Sequence, residues 1–286
     1  MKKVLLSVLA LAMITMFAAC TKDGVFNPSK KISRVYESSG SSARHLTELW
    51  HWDGKKLSSI DFYASSGALN YIYNFSYDGN QLTRVDCYAA NYYIEFSYDA
   101  GRIKKFSTYS NGSLYLTGEA GYSNKKLSKM VLTYYSKKGA AEDTPELTQM
   151  NADILNMIIP CFDKEEYIKN VATKAVGSAV YNFTWNGSNI SEQIFTSGSS
   201  RTTRKYTYDK KNNPYYGSLM AFYDEGPSTW GSKNNIVSQI VTVQDNTGMD
   251  NTDFHYSYTY DGNWPTIRNI TYTGGNSAYA TYWDYE

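Results

Sequence analysis

Histidine and cysteine are scarce in this chain, three of each among 286 residues. Zinc or iron needs three or four ligands converging on one point, and His45, His51 and His255 stand in separate stretches with no paired spacing. No metal site and no cofactor are therefore expected. A Gly-x-Ser-x-Gly nucleophile turn is missing too. Excess charge is also lacking: 28 basic side chains face 27 acidic ones, for a formal net charge of +1. A nucleic-acid partner calls for a basic face, and none is visible in the order of the residues. Long apolar runs are absent with one exception, at the start.

There Met1-Lys2-Lys3 is a short basic head, residues 4–19 are almost unbroken apolar chain, and Phe17-Ala18-Ala19 leads into Cys20. The run is shorter than the roughly 20 residues a spanning helix needs, and polar chain follows at once. The pattern resembles a bacterial lipoprotein signal peptide, which implies removal of residues 1–19 and a lipid on Cys20. Residues 20–30, with Gly24, Asn27, Pro28 and Ser29, read as a lipidated tether rich in turn formers. The acidic Asp23 just behind the cysteine resembles a surface-export signal. The resulting expectation is an outer-membrane lipoprotein exposed at the cell surface, with a periplasm-facing placement as the alternative.

What the chain has in abundance is tyrosine, 28 residues, and its tyrosines fall in a repeat. Tyr73, Phe75 and Tyr77 alternate with Asn74 and Ser76, the period of a strand with one buried face. Asp78-Gly79-Asn80 then offers a side chain that bonds its own backbone and a glycine free to take positive φ, so the chain turns. Leu82 returns five residues after Tyr77 and reads as a plug at the hairpin end. The same step recurs as Trp52 to Leu57, Tyr98 to Ile103, Tyr122 to Leu127, Trp185 to Ile190 and Tyr260 to Pro265, with a stretched copy from Tyr208 to Pro214. Repetition at one offset decides architecture ahead of local propensity.

The hairpins predict about seventeen strands in an all-β antiparallel up-and-down meander over residues 31–286. A twisted sheet that wide curls, giving a barrel-like or wrapped sheet, with two stacked sheets as the alternative. One rim carries the uniform Asp-Gly-type turns. The other carries loops with no common sequence, such as Ala64-Ser65-Ser66-Gly67, Ala89-Ala90-Asn91 and Ser110-Asn111-Gly112, and a varied rim is where a scaffold places its contacts. Residues 137–178 break the repeat. Pro145 opens a helical pattern of Leu147, Met150, Ile154 and Met157, and Asp163 with Glu166 forms a capping box for a second short helix.

Tyr-x-Tyr-Asp-x-x-(Gly/Asn)-x-(Leu/Pro), as in Tyr206 to Pro214 and Tyr258 to Pro265, is similar to the YD repeats of rearrangement-hotspot toxins and teneurins. The chain as a whole resembles gut-bacterial surface lipoproteins of the Bacteroidota type, with YD-like hairpins and a porin-like fold. That resemblance implies a fold and carries no activity. The toxins' encapsulation role is not implied, because nothing here looks like a cargo domain.

Asp53, Asp78, Asp99, Asp209 and Asp261 all hold the same turn position, which turn chemistry explains at once. Glu142, Asp143, Glu165 and Glu166 fall at helix starts, where the helix dipole accounts for them. No catalytic residue is named. Cys87 and Cys161 remain open to a bridge or to two free thiols. Trp230, in a Gly/Pro/Ser-rich loop, and Trp283 are the tryptophans that the turn step does not explain, and they are the candidate ligand contacts. The functional expectation is a non-catalytic binding or scaffold protein whose ligand is a glycan or a protein. The alternative is a glycan-active hydrolase using paired carboxylates.

Overall fold

The computed structural model describes residues 28–40, 42–87, 91–135, 178–216, 232–273 and 279–286. Sixteen strands run in chain order: β1 (Ile32–Ser39), β2 (His45–Asp53), β3 (Lys56–Tyr63), β4 (Leu69–Asp78), β5 (Gln81–Cys87), β6 (Tyr92–Asp99), β7 (Arg102–Ser110) and β8 (Ser113–Ser123). They continue with β9 (Lys126–Tyr134), β10 (Ser178–Asn186), β11 (Asn189–Ser197), β12 (Ser200–Asn212), β13 (Asn234–Asp245), β14 (Gly248–Asp261), β15 (Trp264–Tyr272) and β16 (Tyr279–Tyr285). Each pairs antiparallel with its sequence neighbours, and β1 pairs with β16, so the sheet closes into a barrel. The expected meander and its curl are present. Stacking as two sheets is not, since closure leaves no edge. Sixteen described strands replace the count of about seventeen, and the helical insert falls outside the described residues apart from Ser178, which opens β10.

Alternation decides which face is which. Tyr73, Phe75, Ile94, Phe96, Tyr181 and Phe183 point inward and are buried. Ser76, Glu95, Ser97, Asn182 and Thr184, in the opposite phase of the same strands, are exposed. A membrane-spanning barrel needs the reverse, a continuous apolar band outside and a polar interior. The inward Tyr73, Ile94, Leu116 and Tyr181 have no exposed surface, so these walls do not line a water channel. At the middle of the wall, Gly118 pairs with Phe106 across the ladder. A Cβ there would stand 2.0 Å from the Phe106 ring, so the missing side chain is what lets that ring lie flat against β8.

The five-residue step has a geometric cause. Trp52 pairs directly with Leu57, Tyr77 with Leu82, Tyr98 with Ile103, Tyr122 with Leu127 and Trp185 with Ile190, with the register shifting beside each pair. Such a bulge disrupts the ladder locally, and the plug's carbonyl is taken by the aromatic of the following hairpin. Tyr77 donates to the Leu57 carbonyl at 2.9 Å, Tyr98 to Leu82 at 2.7 Å, Tyr122 to Ile103 at 2.8 Å and Trp185 to Leu127 at 2.7 Å. Tyr208 donates to Ile190, Tyr258 to Ile236, Tyr285 to Pro265, and Trp52, on β2, to Ile32 on β1. These eight bonds form a closed belt around the rim of uniform turns. The residue before the plug adds to it: Lys31, Lys56, Arg102 and Lys126 set a cation over Trp52, Tyr77, Tyr122 and Trp185 at 5.2, 5.4, 5.6 and 5.3 Å from the ring centre, within cation–π range.

A second element of the repeat is a hydroxyl directly after the plug. Ser58, Thr83, Ser128, Ser191 and Thr266 each donate back across the bulge to the carbonyl seven residues earlier. One expected copy is corrected. Tyr208 pairs with Ile236 and not with Pro214, because the chain leaves β12 after Asn212 and re-enters the sheet at Asn234. Asp209 holds that junction, accepting from the backbone N–H of Lys211 at 2.9 Å and of Asn235 at 3.1 Å. The deeper position of Ile236 is also why Tyr258, two residues before Tyr260, closes the belt there.

Candidate functional site

The opposite rim is built by the loops that differ. Its residues include Ser42, the 64–68 turn, Asn91, the Asn111-Gly112 turn and the β13–β14 hairpin tip. The ends of β9 and β10 that flank residues 137–177 also reach this rim. Near it lie the large apolar side chains that stay exposed among the described residues: Leu69 at 52%, Tyr135, Ile240, Val243 and Met249 at 68%. Leu69 on β4 and Tyr135 just past β9 stand apart around the barrel, whereas Ile240, Val243 and Met249 share the β13–β14 hairpin.

On the outer wall below this rim, β5, β6 and β7 assemble a mixed aromatic and polar cluster. The Arg84 guanidinium lies 3.7 Å from the Tyr93 ring centre, and Tyr93 stacks on Tyr109 at 4.7 Å and 15°. Register makes the neighbours: Asp86 pairs with Tyr93, and Tyr93 with Tyr109. Arg84 is held from two sides, by Asp86 at 2.7 Å and Glu95 at 3.2 Å. The Asp86 hydrogen bond is the main reason its pKa lies above the ordinary value, and the two carboxylates hold the charged guanidinium in place and leave the cluster with one net negative charge. Beside it opens a cleft of about 410 Å³ whose described walls include Arg84, Asp86, Asn91, Tyr93 and Asn111. The Asn111 N–H donates to the Asn91 carbonyl at 3.0 Å, which joins the two loops at the cleft mouth. The volume is within the several hundred Å³ usual for small-ligand sites.

The residues singled out from the sequence lie elsewhere. Trp283 is 4% exposed and points inward, donating to the Tyr215 hydroxyl at 2.7 Å, with Tyr215 also beside Trp50 at 6.2 Å. Burial raises the Tyr215 pKa well above its usual value, so the phenol stays neutral and accepts the indole N–H. Trp230, Cys20 and Cys161 lie outside the described residues, and Cys87 is buried in the core. Asp53, Asp78, Asp99 and Asp261 stand on four separate turn tips, exposed, and Asp261 pairs with Lys30 at 2.9 Å. His51 points to the wet face and meets Asp61 at 2.9 Å. Among the described residues no group of His, Cys, Asp and Glu is arranged to hold a metal ion. Tyr93 and Tyr109 were missed, although a signal existed: both stand in the wet phase of strands whose buried phase is already filled, by Tyr92 and Ile94 and by Phe106.

No family model and no curated protein matches this sequence. The fold is similar to that of a porin-like protein from Bacteroides vulgatus, at 10% sequence identity and a TM-score of 0.55 over 90% of this chain and 99% of that one. A porin-like protein from Bacteroides uniformis is similar at 10% identity and a TM-score of 0.50, over 91% and 100% of the two chains. At such identity the likeness establishes a shared all-β barrel of the porin-like type found in Bacteroides.

Proposed function

We propose that this protein is a cell-envelope lipoprotein, anchored through Cys20 to the outer membrane and exposed at the surface. It acts there as a non-catalytic binding or scaffold protein, with its varied rim as the contact face for a glycan or a protein. The YD-like hairpins supply a rigid frame, and the barrel stands beside the membrane, not through it, because its outer wall is polar. The observation that carries the reading is the division of labour between the rims. Exposed apolar side chains and the Arg84–Tyr93 cleft fall toward the end whose loops share no sequence, while the other end repeats one structural unit in all but its β12–β13 connection.

The cleft favours a glycan. Aromatic edges and planar amide and carboxylate groups suit sugar hydroxyls and C–H faces, and Arg84 is already engaged by Asp86 and Glu95, so the cleft offers no unpaired cation to an anion. Screening the lipidated protein against glycan and surface-protein panels should find a ligand. Its affinity should fall about tenfold or more in Tyr93→Ala, the loss typical of a truncated aromatic anchor, with an unchanged unfolding midpoint. Release of cleaved product, abolished by replacing one or two carboxylates while the fold survives, would replace the binding reading with the hydrolase. A ligand indifferent to every substitution on the varied rim would remove that rim from the account.

A further inference from the structure

The belt rim has a charge pattern that its structural role does not use up. Lys31, Lys56, Lys126 and Lys211 each donate to the glycine carbonyl of an adjacent turn, those of Gly54, Gly79, Gly187 and Gly262. The belt therefore accounts for one lysine at each of these places. Yet two turns carry lysine in pairs, Lys55-Lys56 and Lys125-Lys126, and a third pair, Lys210-Lys211, lies near the belt-rim end of β12, while carboxylates come at most one to each of these places. Lys55 and Lys125 are exposed at turn tips and Lys210 is exposed near the end of β12, and no ion pair holds any of them among the described residues. The varied rim shows the opposite bias, with Asp245, Asp250 and Asp253 close together on one hairpin.

The chain also enters the barrel at this same rim. Lys30 and Lys31 precede β1, with Lys30 on Asp261 and the Lys31 carbonyl accepting from the Glu286 N–H at 2.9 Å. Only nine residues lie between Cys20 and Lys30, ten steps along the backbone. Fully extended, they span about 35 Å at the roughly 3.3–3.6 Å per residue that backbone geometry allows. A tether of that reach keeps the barrel near the bilayer and leaves it free to turn over, so something else must orient it.

We infer that the lysine-bearing belt rim is a membrane-facing surface that rests on the anionic phosphates of lipid headgroups and points the varied rim away from the bilayer. The inference rests on the lipid-anchored reading above and adds an orientation to it. Each net positive charge near an anionic membrane contributes modestly, and the contributions multiply; the exposed Asp53, Asp78 and Asp99 on the same rim offset part of the attraction, so the lysine surplus biases orientation by about tenfold to a hundredfold at low salt. Screening weakens this within a Debye length of about 8–10 Å at physiological ionic strength.

The test uses the mature lipidated protein in vesicles of phosphatidylethanolamine and phosphatidylglycerol that carry a nitroxide quencher at the headgroup. Fluorophores are placed in turn on Asn80→Cys at the belt rim and Ser66→Cys at the varied rim, with Cys161→Ser as background. The account expects strong quenching at position 80 and weak quenching at 66. The difference should vanish in Lys55→Glu/Lys125→Glu/Lys210→Glu and in vesicles of neutral lipid. Equal or reversed quenching, with mass spectrometry showing lipid on Cys20, overturns the orientation and leaves the anchor standing. Absence of lipid on Cys20 removes the anchor and the orientation together.

Discussion

The two rims of the barrel are made by the same strands and obey different rules. At the belt rim every hairpin except the long β12–β13 connection repeats one unit: an aromatic, a tight turn, an apolar plug five residues on, and in most copies a hydroxyl after it. The unit recurs because its parts serve the neighbouring hairpin. Tyr98 exists at its position to take the carbonyl of Leu82, and Arg102 to cover the ring of Tyr122. At the varied rim the loops follow no shared pattern, so Leu69 and Met249 are under no such constraint, and the one pairing of Asn91 with Asn111 is not repeated as a unit among the described residues. Repetition therefore marks the end that holds the fold together, and the lack of it marks the end free to acquire contacts.

Matched substitutions at the two ends break or sharpen this contrast. The largest difference is expected between two leucines at opposite ends of one hairpin: Leu82 is 3% exposed and Leu69 is 52% exposed. Leu82→Ala should cost about 2–5 kcal/mol, as buried truncations do, whereas Leu69→Ala should stay within about 0.5 kcal/mol. Urea unfolding midpoints measure both. In the wall that joins the rims, Gly118→Ala should cost about 1–3 kcal/mol by overpacking against Phe106, and Gly118→Ala/Phe106→Leu should recover part of it.

Smaller effects separate the tyrosines. Tyr98→Phe keeps the ring and removes its bond to the Leu82 carbonyl, for an expected loss of about 1 kcal/mol. Tyr93→Phe should leave stability unchanged. The belt phenols also predict the direction of the alkaline limit. Burial raises the pKa of Tyr77, Tyr98 and Tyr285 above the usual value of 10.0 and pushes Tyr122 up to about 12. The folded state thus retains protons that the unfolded chain gives up. Stability is unaffected below pH 10 and falls as pH rises from there through 12 and beyond. Titration by phenolate absorbance should show an early non-cooperative step from exposed tyrosines, then a cooperative one coincident with unfolding.

The barrel was legible in the sequence to the extent that it is repetitive. The step from Tyr77 to Leu82 and its copies gave the hairpins, their turns and the two rims, because a period of two and a five-residue offset are written directly in residue order. Closure was legible only as curl, since the pairing of β1 with β16 joins residues from opposite ends of the chain. Whether the apolar phase faced in or out was not legible at all: alternation is symmetric, and only the exposed Ser76 and Glu95 beside the buried Tyr73 and Ile94 resolve it. The stretched copy at Tyr208 misled because a proline at nearly the right offset stood in for Ile236, which returns from a long excursion. Trp283 drew notice as an aromatic outside the repeat, yet period two from Tyr285 places it inward. Tyr93 was overlooked because a tyrosine beside a tyrosine reads as strand composition until the phase of its neighbours is fixed.

Residue-resolved amide hydrogen exchange tests the central contrast most directly, since it reads local opening separately from global unfolding. The account predicts that the amides of Leu57, Leu82, Ile103, Leu127 and Ile190, locked under the belt, exchange only as fast as the whole barrel unfolds. Leu69, Asn91 and Gly112 at the other rim should exchange through local opening, faster by orders of magnitude. Equal protection at the two rims, or greater protection at the varied one, would contradict it.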